Sequence, residues 1–334
     1  MTGSTPPPWV DDLFPFPTPP ALRTLIDMAW QAAYAFYREN DSYDPALLIS
    51  HHDFMFDLAT VPRPPEGCTA DPDLTGHGEP PVPHFATPEF VSFGSLGDGG
   101  DVGWLVPAPE LRRGDHPVAL AGGHEHGVTL IGADTRTGLE FMLSWALRRW
   151  REDPVPEPPA WRDPDVWLAQ NRWRIDAHAR KRRLADRLAA ELGVHPDPDG
   201  VFPGSRWKGT AVWADTAFDI VFDVPEGWRH ETGADGIGVL APADAYADRR
   251  PVVAERPRLE PELIAAAAWL DAGCPATALL GLKDTFVNGP GCYFADLKPL
   301  WARAYRDLGR PAYADRLELM APYYRDSCDC PTPH

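Results

Sequence analysis

Apolar and polar positions change period several times along this chain. Val102, Trp104 and Val106 alternate with Gly103 and Leu105, as the residues of a two-faced strand do. Similar short runs at 89–93, 118–121 and 128–132 predict three more strands. Asp98-Gly99 is a turn dipeptide, and Gly94, Gly97, Gly99, Gly100 and Gly103 permit backbone angles that other residues avoid. Together they predict a glycine-rich hairpin between the first two strands. The period then becomes helical: Leu139, Met142, Leu143, Ala146 and Leu147 mark one face of a helix over 135–149. Leu22, Leu25, Ile26, Trp30, Ala33 and Phe36 predict an earlier helix over 20–38, with Pro20 in its first turn. A short helix or strand is expected over 46–60, then a loop to residue 83.

The second half begins with a proline-rich linker at 151–163. A basic helix over 164–193 follows, apolar at Leu184, Leu188 and Leu192 and stopped by Gly193. Its run Arg180 to Arg183 reads as the solvated face of a packed helix. Strands are expected at 209–214, 218–224 and 237–240, and helices throughout 259–325.

Two segments echo each other. Residues 101–118, DVGWLVPAPELRRGDHPV, resemble 235–252, DGIGVLAPADAYADRRPV, which fits either duplication or chance in a chain rich in Pro, Ala and Asp. Residues 271–278, DAGCPATA, match 307–314, DLGRPAYA, at an offset of 36, with Gly273 and Gly309 where helices must turn. The expected class is therefore α+β with a C-terminal all-helical repeat module. Three units are expected: 1–150 with a proline-rich N-terminal arm, 151–255 as a second α+β unit, and 256–334.

These residues carry two resemblances. Phe93-Gly94, Gly97-Asp98-Gly99, Gly103-Trp104-Leu105, Pro117-Val118 and Leu139-Glu140-Phe141-Met142-Leu143 make the segment 83–143 similar to the C-terminal half of a SUKH-superfamily domain. That resemblance implies binding without shared catalytic residues, and in bacterial members the neutralisation of toxins. The 36-residue echo resembles tetratricopeptide helix pairs, with Ala304, Tyr305, Gly309 and Ala314 at that family's small and aromatic positions.

A net charge of -18 argues against a duplex nucleic-acid binder, which needs a basic face. It suits attraction of a basic protein, and equally simple solubility. Five scattered cysteines make no disulfide framework. Without a leader-like or spanning segment, a cytoplasmic, non-membrane protein is expected.

No cofactor is expected. His124 and His126, at i and i+2, are the alternative metal ligands of a hydrolase, with His51, His52, Asp53, His84 and His116 as further donors. Glycines around them read equally as a polar hairpin tip. Cys328 and Cys330 with His334 could hold a metal or form a redox pair, and read also as a frayed tail. Among thirteen tryptophans, Trp150, Trp161, Trp167 and Trp173 are candidates for contact or inter-domain packing.

The leading expectation is a non-catalytic, immunity-type inhibitor of a toxin. Its partner-binding residues would be Asp98, Asp101, Glu110 and Asp115, with Trp104 as an apolar anchor. A scaffold acting through the helical repeats is the other alternative.

Overall fold

In the computed structural model the described residues are 18–25, 28, 57–58, 86–95, 101–121, 128–152, 158–160, 163–199, 223–249, 253 and 257–325. The strand expected at 209–214 lies outside them, as do residues 218–222 of the one expected at 218–224, whose described residues 223–224 are not strand, and most of 26–38 and 46–60. Residues 20–25 are helical, as the spacing from Pro20 predicts.

Five strands form one antiparallel sheet in chain order: β1 (Asp57–Leu58), β2 (Phe90–Ser95), β3 (Asp101–Leu105), β4 (Val118–Ala121) and β5 (Val128–Gly132). Val91 lies opposite Trp104, and Trp104 opposite Val118. This register gathers Val91, Val102, Trp104, Val118 and Ile131 into one core. Leu22, Leu25, Met28 and two helices cover it: α1 (Thr135–Glu152) and α2 (Pro164–Leu192).

Both ends of α2 follow from local chemistry. Asp163 accepts hydrogen bonds from the Asp165 and Val166 amides, and Gly193 closes the helix in the left-handed region at φ 62°. Ala185 and Leu188 are buried, while Arg182, Arg183 and Arg187 face solvent. A helix expected to open the second unit thus shares the core of the first.

The opposite sheet face, with Phe90, Leu105, Ala119 and Ala121, is covered by Ile237 and Leu240 of a hairpin. That hairpin is β6 (Trp228–Glu231) and β7 (Val239–Pro242). The alternate β7 residues, Val239 and Ala241, enter a third core. β7 is therefore a middle layer, sheet on one side and helices on the other.

The third core belongs to four helices: α3 (Leu259–Asp271), α4 (Pro275–Asn288), α5 (Phe294–Asp307) and α6 (Pro311–Arg325). The architecture is α+β with a C-terminal helical cluster. Every residue of α4 from Pro275 to Phe286 is buried, matching a sequence apolar nearly all round. Aromatic rings of Phe286, Phe294, Trp301 and Tyr324 pack edge-on or stacked around it, with centroids 4.6–6.1 Å apart. Among the described residues no helix is long and apolar enough to cross a membrane.

Gly273 and Gly309 turn the two helix pairs at φ 75° and φ 74°. A Cβ at either site would meet nothing within 4 Å, so only backbone strain opposes a side chain. Gly273→Ala and Gly309→Ala should each cost about 1 kcal/mol of stability, read as a lowered urea midpoint. A midpoint unmoved in both variants would exclude the left-handed turn.

Candidate functional site

Among the described residues, buried charge concentrates where β2, the β6–β7 hairpin and the helices meet. Lys283, on the enclosed helix α4, has no exposed side-chain surface. Its Nζ stands 2.7 Å from Asp235 Oδ2 and 3.1 Å from Glu89 Oε1, both carboxylates being nearly as deeply buried. Nζ also donates to the Gly238 carbonyl. Burial alone would push the Lys283 ammonium down, but Asp235 and then Glu89 outweigh it and hold its pKa above the ordinary lysine value.

The loop between β6 and β7 is built to present Asp235. Its Oδ1 accepts the Ile237 amide at 3.1 Å and the Gly238 amide at 2.8 Å, and Oδ2 accepts the Thr87 hydroxyl at 3.2 Å. Gly238 has φ 71°, and a Cβ there would fall 1.9 Å from the Glu231 carbonyl oxygen. The neighbouring Asp284 accepts the Ala234 amide at 2.6 Å. Glu89 is held differently. Its charge reaches Tyr305 and Tyr313, whose hydroxyls are raised first by burial and then by that charge.

A seam of polar contacts extends from this cluster. Arg310 grips Glu110 through two nitrogens, at 3.0 Å from Nε and 2.7 Å from the terminal amine, and donates to the Leu240 carbonyl. Tyr313 donates to the Val106 carbonyl, and Arg316 to the Phe90 carbonyl at 3.0 Å. With Lys283 on Gly238, four side chains of the helical cluster and its turn meet four main-chain carbonyls of the sheet region and hairpin.

The residues expected to bind a partner are not gathered on one surface. Trp104 is fully buried and donates its indole N–H to Thr135 Oγ1 at 2.8 Å, with Phe93 against its ring. Glu110 is committed to Arg310. Asp115 accepts the Thr135 hydroxyl, its amide at 3.2 Å and the His116 amide at 2.8 Å, fixing the start of α1. Burial nevertheless raises the Asp115 pKa, outweighing these bonds. Asp101 is buried at the start of β3, and Asp98 lies outside the described residues.

His124 and His126 also lie outside the described residues, with His51, His52, Asp53, His84, Cys328, Cys330 and His334. His116 is buried, and its pKa is lowered to about 4 by burial and then by Arg113, so it is neutral at pH 7. Among the described residues no group of three His, Cys, Asp or Glu is placed to hold a metal. Trp167 is buried; Trp150, Trp161 and Trp173 have no described side-chain surroundings.

Sequence reasoning passed over Lys283, Asp235, Glu89 and Arg310 as site residues. The one available signal was a lone lysine inside a helix otherwise apolar or small for most of its length.

Breaking the triad from the cationic side leaves two carboxylates uncompensated. Lys283→Met should destabilise by roughly 3–5 kcal/mol in urea unfolding. Adding Glu89→Gln and Asp235→Asn should recover part of that loss, because neither orphaned carboxylate of the triad then remains. A triple variant less stable than Lys283→Met would contradict this account.

Asp101 gives a pH dependence of defined sign. Burial raises its folded pKa from 3.8 to about 7, so between those values the folded state holds a proton that the unfolded state has lost. Its contribution is present below about pH 4 and falls as pH rises to about 7, at up to roughly 1.4 kcal/mol per pH unit. Thermal melts of Asp101→Asn should therefore decline less than those of the parent between pH 5 and 7. Parallel declines would remove Asp101 as the cause.

No protein-family model matches the chain, and no curated protein matches it.

Proposed function

We propose that this is a non-catalytic protein-binding protein, an immunity-type inhibitor whose partner is a basic toxin. The observation that carries the reading is how the fold uses charge. Glu89 and Asp235 stand against Lys283 in the interior, and Glu110, at the surface, against the buried Arg310, the five balanced to within one charge. These groups hold shape. Nearly all of the net -18 belongs to the rest of the chain, where it can steer a cationic partner.

The SUKH-like reading of 83–143, the tetratricopeptide-like reading of the helices and the three-unit division belong to the same proposal. An antiparallel sheet followed by α1 supports the first. Two helix pairs turned at equivalent glycines support the second. With Trp104 in the core and Glu110 and Asp115 turned to internal partners, the contact surface in this proposal is acidic surface away from those three residues.

The test is capture from a lysate of the native host at low salt, followed by titration of the recovered partner against rising salt. A basic protein should be retained. Its association should slow steeply as the screening length falls from about 30 Å at 0.01 M to about 8 Å at 0.15 M. Retention of no basic protein, or an on-rate indifferent to salt, would overturn the reading.

A further inference from the structure

We infer that the Lys283–Asp235–Glu89 triad is a self-modifying site, at which the Lys283 amine and the Asp235 carboxyl condense into an intramolecular amide with Glu89 as proton carrier. Three features distinguish it from an ordinary buried ion pair.

The first is position. Nζ is 2.7 Å from Asp235 Oδ2, and both side chains are fixed by burial at 0% and 2% exposure. Groups held this way react at effective concentrations of about 10⁵ M or more, provided nitrogen and carbonyl carbon reach attack distance.

The second is the treatment of the two carboxylate oxygens. Oδ1 accepts the Ile237 and Gly238 amides, two main-chain donors placed to stabilise an oxyanion. Oδ2 faces Nζ and the Thr87 hydroxyl, where an oxygen can be protonated and leave.

The third is the extra carboxylate. Glu89 Oε1 is 3.1 Å from Nζ, close enough to exchange a proton with it, and the same carboxylate lies beside the Tyr305 hydroxyl. A salt bridge needs one anion, and this lysine has two.

The chemistry balances without any external reagent. The ammonium first gives one proton to Asp235 Oδ2, forming the neutral amine and carboxylic acid that attack requires, a minor state because the two carboxylates hold the lysine charged. Nζ attacks the Asp235 carbonyl carbon, and negative charge develops on Oδ1 between the two amides. Glu89 takes a second proton from Nζ and delivers it to the departing hydroxyl. The carbon–Oδ2 bond breaks, the nitrogen–carbon bond is made, and one water leaves. Glu89 ends as it began. Three buried formal charges become one, and exclusion of water suppresses hydrolysis.

Intact mass of the purified full chain, measured after denaturation, decides the matter. The folded wild type should be lighter than its sequence by one water, and a tryptic digest should contain a branched peptide joining Lys283 to Asp235. Lys283→Met should show the full sequence mass. This control matters because Asp235-Gly236 could lose water by cyclising on itself, without any lysine. Glu89→Gln, checked for folding by circular dichroism, should retain the full mass or lose water at least tenfold more slowly. A folded wild type of full sequence mass overturns the proposal, whatever the variants do. So does a water loss that persists in Lys283→Met.

Discussion

An ammonium in a dry interior is tolerated only beside anions, and Lys283 sits on a helix with almost no exposed side. Its two carboxylates come from far along the chain: Glu89 from the entry to β2, Asp235 from the loop between β6 and β7. Satisfying one charge therefore brings three segments to one point. Sheet, hairpin and helices cannot separate without exposing or orphaning that charge.

Around this point the helices attach to the rest of the molecule largely through main-chain oxygen. The carbonyls of Phe90, Val106, Gly238 and Leu240 each take a donor from Arg316, Tyr313, Lys283 or Arg310. Such contacts depend on where the backbone runs more than on which side chains it carries. Specificity in this junction is a matter of backbone path, while Ile237 and Leu240 pack into the core on one side and Val239 and Ala241 into the core on the other.

What could be seen in the sequence was what depends on near neighbours. Gly193 as a helix stop, Gly273 and Gly309 as turns, the β2–β3 pairing and the apolar face of α1 all rest on residues a few positions apart. The charge cluster rests on pairs separated by 48 to 194 positions, and no period or motif encodes such a pair. Trp104 is buried, and Glu110 and Asp115, though partly exposed, are engaged by partners the sequence does not show. A loop rich in Asp, Glu and Arg looks solvated until the Arg310 or Thr135 that meets it is known. The echo between 101–118 and 235–252 has a structural counterpart in part: β3 and β7 are each followed by a short 3₁₀ turn, at Pro109–Leu111 and Ala243–Ala245. β3 lies between two strands, whereas β7 pairs with β6 alone among the described residues.

The middle position of β7 has a consequence for how this chain can change over generations. A strand exposed on one face absorbs an inserted or deleted residue by slipping, at the cost of one poor face. β7 has no such face to sacrifice. A one-residue shift would turn Val239 and Ala241 toward the sheet, Leu240 toward the helices, and the Leu240 carbonyl away from Arg310. Length variation among descendants of this sequence should therefore be purged between Gly233 and Pro242, while substitutions that preserve alternation and volume are tolerated there.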